Sequence, residues 1–201
     1  MKIIAIEGPD RSGKTYLSKL LTRTFQLNYV KFPIIDINGL LVKYDGNDIL
    51  MELESDITNI CIKERHNFIN SINEIKNNKL LIIDRYNLSG YVYGQLRLKT
   101  RSTMIETEKQ YPFLLPDLYI IRTNTLYINI GRESNIKYDT YTSIDMQRKL
   151  YENEINILKT NINYSLKTKY ELQNTSFNCL SKYLLDTDIL FVKNDTSNIL
   201  V

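Results

Sequence analysis

The amino-acid sequence predicts an α/β sandwich: a mostly parallel sheet of about five strands flanked by helices. Two observations carry this. The runs KIIAIE at 2–7 and KLLII at 79–83 are short and apolar without polar alternation, as strands buried on both faces are. Between such runs lie stretches with apolar residues at helical spacing. No Pro/Gly-rich linker or internal repeat interrupts the alternation, so residues 1–201 read as one domain.

Each element follows from its local pattern. Lys2 to Glu7 is a strand that stops at Gly8, and Thr15 to Phe25 is a helix with Leu17, Leu20, Leu21 and Phe25 on one stripe. Tyr29 to Phe32 is a short strand closed by Pro33. Ser55 caps a long helix to about Asn77, and Lys79 to Ile83 is the next buried strand, ending at Asp84. Helical stretches from Asn87 to Lys99 and on toward Tyr111 come next, then Pro116 introduces a strand from Asp117 to Ile121. A short helix is expected near Asn124. The segment 131–143 is polar and aperiodic, a mobile loop. Ser143 or Asp145 caps a helix to about Leu166. A brief strand at Tyr170 to Leu172, a helix from Ser176 to Leu185 and a strand at Ile189 to Val192 complete the expected order.

Composition excludes several function classes. Hydrophobic residues make up 43% and charged residues 24%, with only 7 Gly and 4 Pro, which rules against fibrous or disordered chains. The net charge of +3 is not gathered into a basic stripe, so no nucleic-acid partner is expected. The two cysteines, Cys61 and Cys179, make neither a disulfide framework nor a metal site and read as buried thiols. The N-terminal apolar run is too short for a signal peptide, and no segment is long enough to span a bilayer, so no membrane is expected and a reducing, cytoplasmic compartment is.

Gly8-Pro9-Asp10-Arg11-Ser12-Gly13-Lys14-Thr15 is a complete G-x-x-x-x-G-K-[ST] motif, placed between a buried strand and an amphipathic helix. Glycine permits a backbone path that side chains would block. Successive N–H groups then form an anion nest at a helix N-terminus. Lys14 is expected to bring a positive charge to the outer phosphates, and the Thr15 hydroxyl can ligate Mg²⁺. The expected architecture is therefore a P-loop NTPase three-layer sandwich with ATP as donor and a lid loop at about 131–143. A carboxylate inside the loop would be repelled by polyphosphate, so Asp10 is expected to face the acceptor, and Arg11 to supply transition-state charge. The plainer alternative is a local Asp10–Arg11 surface pair.

A second cluster, Asp84-Arg85-Tyr86, follows directly on a buried strand. Strand carboxyl ends form the functional edge of a parallel sheet, which puts these residues beside the phosphate loop. Asp84 is a candidate Walker-B-type Mg²⁺ holder, and Arg85 a fork for the acceptor phosphate, against a purely structural ion pair. Ser89 and Gly90 lie just inside the next helix. Tyr93 either flanks the acceptor or packs in the core. Arg65, between Cys61 and Ile69, is either a boundary residue with its charge in solvent or a base-reading donor.

These residues together resemble the thymidylate kinase family. The matching parts are Glu7 to Thr15, Phe32-Pro33, Arg65, Asp84-Arg85-Tyr86 with Ser89-Gly90, and Leu115-Pro116-Asp117-Leu118, in the family's order over about the first 120 residues. The resemblance implies transfer of the ATP γ-phosphate to dTMP with Mg²⁺. It implies that Asp10 faces the deoxyribose, Arg11 assists transfer, Arg65 hydrogen-bonds thymine and Arg85 grips the acceptor phosphate. Phe32, Ser89 and Gly90 would line the acceptor site, and Tyr93 would sit near the sugar. Tyr138, in Lys137-Tyr138-Asp139, would close over the acceptor, with Arg132 at the start of the lid. A homodimer is also implied.

Three positions depart from the family pattern. Ile35 stands where a phosphate-gripping Arg is frequent, Cys61 where a stacking Phe is usual, and the stretch after Asp186 has no counterpart. Rival readings are a deoxynucleoside kinase, whose neutral acceptor needs a general base, and a nucleotide-binding protein without turnover. Pro33-Ile34-Ile35-Asp36 offers no Glu in the place such a base occupies, which favours an anionic acceptor, while Asp36 keeps the deoxynucleoside kinase reading open. A GTPase is disfavoured by the absence of an N-K-x-D signature.

Overall fold

The computed structural model describes residues 2–32, 63, 66–67, 80–96, 101–110, 115–122, 144–160, 164–173 and 189–194. In chain order the elements are β1 (Lys2–Glu7), α1 (Lys14–Phe25), β2 (Asn28–Lys31), β3 (Leu80–Asp84), α2 (Asn87–Leu96), α3 (Arg101–Gln110), β4 (Leu118–Arg122), α4 (Ile144–Thr160), β5 (Tyr164–Lys167), α5 (Lys169–Gln173) and β6 (Ile189–Asn194).

The strands form one six-stranded sheet in the order β2-β3-β1-β4-β6-β5. β1 pairs in parallel with β3 and β4, and β2 in parallel with β3, while β6 runs antiparallel to both β4 and β5. Among the described strands only β6 is therefore reversed, and the sheet is mostly parallel, as expected. Alternate residues of each strand go to opposite faces. Ile3, Ala5, Leu81, Ile83, Tyr119 and Ile121 pack with Leu88 and Val92 of α2 and Tyr151 and Ile155 of α4. Ile4, Ile6, Ile82, Leu118 and Ile120 pack with Leu17 and Leu21 of α1 and Leu172 of α5. This two-sided burial is why the strand runs lack polar residues. Each such Ile or Leu contributes about 1.5–3 kcal/mol.

The Pro116-Asp117 pair has a structural task. Asp117 Oδ2 accepts from the Ile3 amide at 2.7 Å, and its own amide donates to the Ile3 carbonyl at 2.9 Å. This pins the start of β4 to β1 and sets the level at which both strands reach the functional edge.

Several expectations need correction. Among the described residues the sheet has six strands, close to the about five expected, and the differences lie in the C-terminal part. The last long helix ends at Thr160, not near Leu166, and Tyr164–Lys167 is a strand on β6. Residues 170–172 are helical, not a strand. The physical reason is a reciprocal cap: Glu171 accepts from the Thr168 amide at 2.6 Å, and Thr168 Oγ1 accepts from the Glu171 amide at 3.2 Å. On α1, Leu17 and Leu21 are buried but Leu20 is exposed, so the apolar stripe is narrower than its spacing suggested. The long helix expected from Ser55, the short one near Asn124, the lid segment 131–143 and the helix from Ser176 lie outside the described residues, apart from Lys63, His66 and Asn67, which are helical.

Candidate active site

β1, β3 and β4 end side by side, at Glu7, Asp84 and Arg122, and the site is built on these ends. The loop after β1 runs from Gly8 to Gly13 and opens α1 at Lys14, which places the positive end of that helix under the loop. Gly8 has φ 140, and a Cβ there would collide with the Arg122 carbonyl oxygen, so no other residue fits. Gly13 caps α1 at φ 79. Arg122 braces the loop from β4, its Nε donating to the Ser12 carbonyl at 2.9 Å.

Lys14 is buried and folds back onto the loop, donating to the Pro9 carbonyl at 2.5 Å and to Ser12 Oγ at 3.4 Å. Burial, and then the charge of Arg85, push its amine down to about 7 against the opposite pull of Asp10, Asp84 and Glu7. A polyphosphate in the loop supplies the missing counter-charge and draws the amine back to its charged form. Above pH 7 the free protein therefore holds less ammonium than its nucleotide complex, and binding takes up a proton. Calorimetry of ATP binding at about pH 8, in buffers of different ionisation enthalpy, is expected to read uptake approaching one proton. That uptake is expected to vanish in Lys14→Ala.

Asp84 is fully buried at the end of β3. Its Oδ2 accepts from Thr15 Oγ1 at 2.6 Å and from the Tyr29 hydroxyl at 3.3 Å. Burial and the Asp84 charge push that tyrosine up to about 12, so it remains a donor. Asp84 Oδ1 is buried with no hydrogen-bond partner among the described residues. A buried carboxylate oxygen left open beside a threonine hydroxyl fits a hard divalent cation. No group of three or more His, Cys, Asp or Glu side chains able to hold a metal occurs among the described residues.

Asp10 of the loop and Arg85, directly after the end of β3, form an ion pair. Arg85 has φ 67, a left-handed conformation rare for a side chain of its size, and its amide donates to the Ile6 carbonyl at 3.0 Å. Its guanidinium also donates to the Tyr93 hydroxyl at 2.8 Å and lies 5.0 Å from that ring's centre. Burial pushes the Asp10 carboxyl up, but the charges of Arg85 and Lys14 outweigh it and hold the group below its ordinary value. Gln147 of α4 closes the ring: its Oε1 accepts from the Asp10 amide at 2.8 Å, and its Nε2 donates to Asp10 Oδ2 at 3.2 Å. The Tyr93 hydroxyl reaches the same Oε1 at 3.4 Å.

The structure thus gathers Gly8 to Thr15, Asp84, Arg85 and Tyr93 at one edge. Asp10 is paired with Arg85, not with Arg11 as in the plainer alternative. Arg11 is exposed on the loop at φ 62. Phe32 is buried in the core beside the site, its amide donating to the Asp84 carbonyl at 2.9 Å. The Ser89 hydroxyl turns to Glu7 and Tyr151, and the Gly90 amide donates to the Tyr86 carbonyl at 3.1 Å within the first turn of α2. Arg65, Arg132, Tyr138, Ile35 and Cys61 lie outside the described residues. Sequence reasoning missed Gln147, Arg122 and Tyr29, and assigned Glu7 no task. Arg122 was findable as a charge ending a buried strand at the functional edge, whereas nothing in the local pattern distinguishes Gln147 from other helix-face polar residues.

No helix among the described residues is long and apolar enough to cross a membrane. A family model for thymidylate kinase matches residues 6–175. A probable thymidylate kinase 1 of Saccharolobus solfataricus is 31% identical over 167 residues, covering 79% of this chain and 84% of the relative. A thymidylate kinase of Plasmodium falciparum is 28% identical over 170 residues, covering 75% of this chain and 74% of the relative. Among solved structures, a thymidylate kinase from Ehrlichia chaffeensis matches with a TM-score of 0.57 at 19% identity, covering 78% of this chain and 83% of that one. A NadR protein solved in complex with NR matches with a TM-score of 0.54 at 15% identity, covering 78% of this chain and 40% of that one. At such identities the two structures speak for the fold alone. The family match over most of the chain, together with the loop and the Asp84-Arg85 corner, assigns the protein: it belongs to the thymidylate kinase family.

Proposed function

We propose that the protein transfers the γ-phosphate of ATP to dTMP, giving ADP and dTDP, in dTTP biosynthesis. The observation that carries this is the place of Arg85, a guanidinium fork held at the lip of the phosphate loop by Asp10. An anionic acceptor needs no general base, only charges that bring two phosphates into line. Arg85 exchanges Asp10 for the incoming acceptor phosphate, and the released Asp10 carboxylate, repelled by that phosphate, accepts from a sugar hydroxyl. Tyr93, held by Arg85 and Gln147, lies against the sugar.

On the donor side the loop amides and Lys14 hold the outer phosphates, and Arg11 reaches the transferred group from within the loop. Thr15 and Asp84 are the residues that would hold Mg²⁺, which when bound neutralises charge on the donor phosphates. From the resemblance, Arg65 reads the thymine, Tyr138 closes over the acceptor, and Arg132 adds charge from the lid. The same resemblance supports a homodimer. The composition supports a cytoplasmic enzyme acting on free nucleotides, without nucleic-acid or membrane partners.

A panel of acceptors tests the assignment. With ATP and Mg²⁺, dTMP is expected to be turned over in preference to thymidine, dUMP, dGMP and dCMP. Phosphorylation of thymidine alone would make the protein a deoxynucleoside kinase. ATP binding with no acceptor turned over would make it a nucleotide-binding protein. A shift of preference to another monophosphate would trace to Ile35 and Cys61.

A further inference from the structure

Glu7 is the last residue of β1 and is fully buried, yet the phosphate chemistry has no use for a carboxylate there. Its partners show what it holds. Oε1 accepts from the Tyr86 amide at 2.8 Å and from the Ser89 amide at 3.1 Å. Oε2 accepts from the Ser89 hydroxyl and lies 3.5 Å from the Tyr151 hydroxyl, which is itself 2.8 Å from Ser89 Oγ. The carboxylate of one strand thus caps the N-terminus of α2, where the helix dipole favours negative charge.

The consequence lies at Arg85. The peptide before its Cα is fixed by Arg85 N–H donating to the Ile6 carbonyl, and the peptide after it by Tyr86 N–H donating to Glu7. Two successive residues of β1 therefore hold both peptide planes that define the Arg85 backbone. With both planes held, Arg85 stays at φ 67, a conformation disfavoured for a residue with a Cβ. A chain free at Tyr86 would relax to ordinary φ, and the guanidinium would leave the loop.

We propose that Glu7 is a positioning residue for the acceptor-side arginine, acting through the Tyr86 and Ser89 amides; this rests on the reading that Arg85 grips the acceptor phosphate. What matters is the reach of its oxygen to those amides, more than its charge. Two single substitutions separate these properties. Glu7→Asp keeps the charge and withdraws the oxygen by one methylene. Glu7→Gln removes the charge and leaves a carbonyl oxygen within reach, with its amide able to donate to Ser89 Oγ.

Steady-state kinetics with varied dTMP, ATP affinity by calorimetry, and thermal melts are measured on both variants and on Arg85→Ala. Glu7→Asp is expected to lower kcat/KM for the acceptor by roughly tenfold to a hundredfold, as a displaced aligning group does, with ATP affinity nearly unchanged. Glu7→Gln is expected to recover most of that loss. If Glu7→Gln is impaired as much as Glu7→Asp, or if donor affinity falls together with acceptor use, the proposal is overturned. A lowered melting temperature without the acceptor-side loss would leave Glu7 a fold residue and overturn it equally. Arg85→Ala separates the two levels: normal acceptor use in that variant defeats the reading of Arg85, whereas a normal Glu7→Asp beside a crippled Arg85→Ala defeats only the role of Glu7.

Discussion

Alanine at Lys14 is expected to remove turnover almost completely, with kcat reduced by about a thousandfold or more. Lys14 is the cation set inside the loop where the proposed reading puts the outer phosphates, and it is buried with the Pro9 carbonyl and Ser12 Oγ as its neutral partners. On the proposed reading, charge that develops in transfer is then met by backbone dipoles and Arg11, without a point charge at its centre. Stability is expected to move the other way. Because burial pushes the Lys14 amine down to about 7, the folded protein holds the charge at a disadvantage, and losing it should leave the melting temperature unchanged or raised. Coupled assay of ADP release with a parallel melt checks both halves. A variant that keeps a tenth of the wild-type rate would mean that the loop amides alone carry the donor.

Arg85→Ala is expected to cut kcat/KM for dTMP by about 10²–10³, equivalent to about 3–4 kcal/mol of transition-state binding, while ATP affinity stays nearly intact. On the proposed reading the variant loses the fork for the acceptor phosphate, and it leaves Asp10 without its ion-pair partner Arg85. An uncompensated carboxylate beside the incoming phosphate repels it, so the loss is compound. The double variant Asp10→Asn with Arg85→Ala should accordingly recover part of the KM but not the kcat. Arg85→Lys should recover little, since a point charge cannot make two parallel bonds from this backbone position. Calorimetric ATP affinity alongside acceptor kinetics checks the split. A parallel fall of both would place Arg85 on the donor.

Residues governed by a local rule are legible in the sequence. The strand at Lys2–Glu7 and the loop that follows it declare themselves, because burial on both faces demands an unbroken apolar run and a phosphate nest demands glycine at fixed offsets. The same logic places Asp84 and Arg85 at the functional edge. The C-terminal third is less legible. Apolar spacing continues from Ile155 past Thr160 in phase with a helix, yet Tyr164–Lys167 pairs with β6, and no pattern within four residues announces a partner that lies beyond residue 188. The cap between Thr168 and Glu171 is a T-x-x-E spacing, a helix signal that the strand expected at 170–172 overlooked.

The sequence by itself determined the chemistry that depends on neighbours along the chain: the phosphate loop, the helix behind it, the acidic-arginine corner, and through them the reaction class. Only the tertiary structure decided which distant groups meet. It pairs Asp10 with Arg85 instead of Arg11, brings Gln147 from α4 to the loop, leaves Asp84 Oδ1 open beside Thr15, and sets Glu7 under the amides of α2. The reason is physical. A loop's backbone path is dictated by local sterics, whereas the partner of a buried charge is whichever group the sheet order carries into reach, and sheet order is settled by packing across the whole domain.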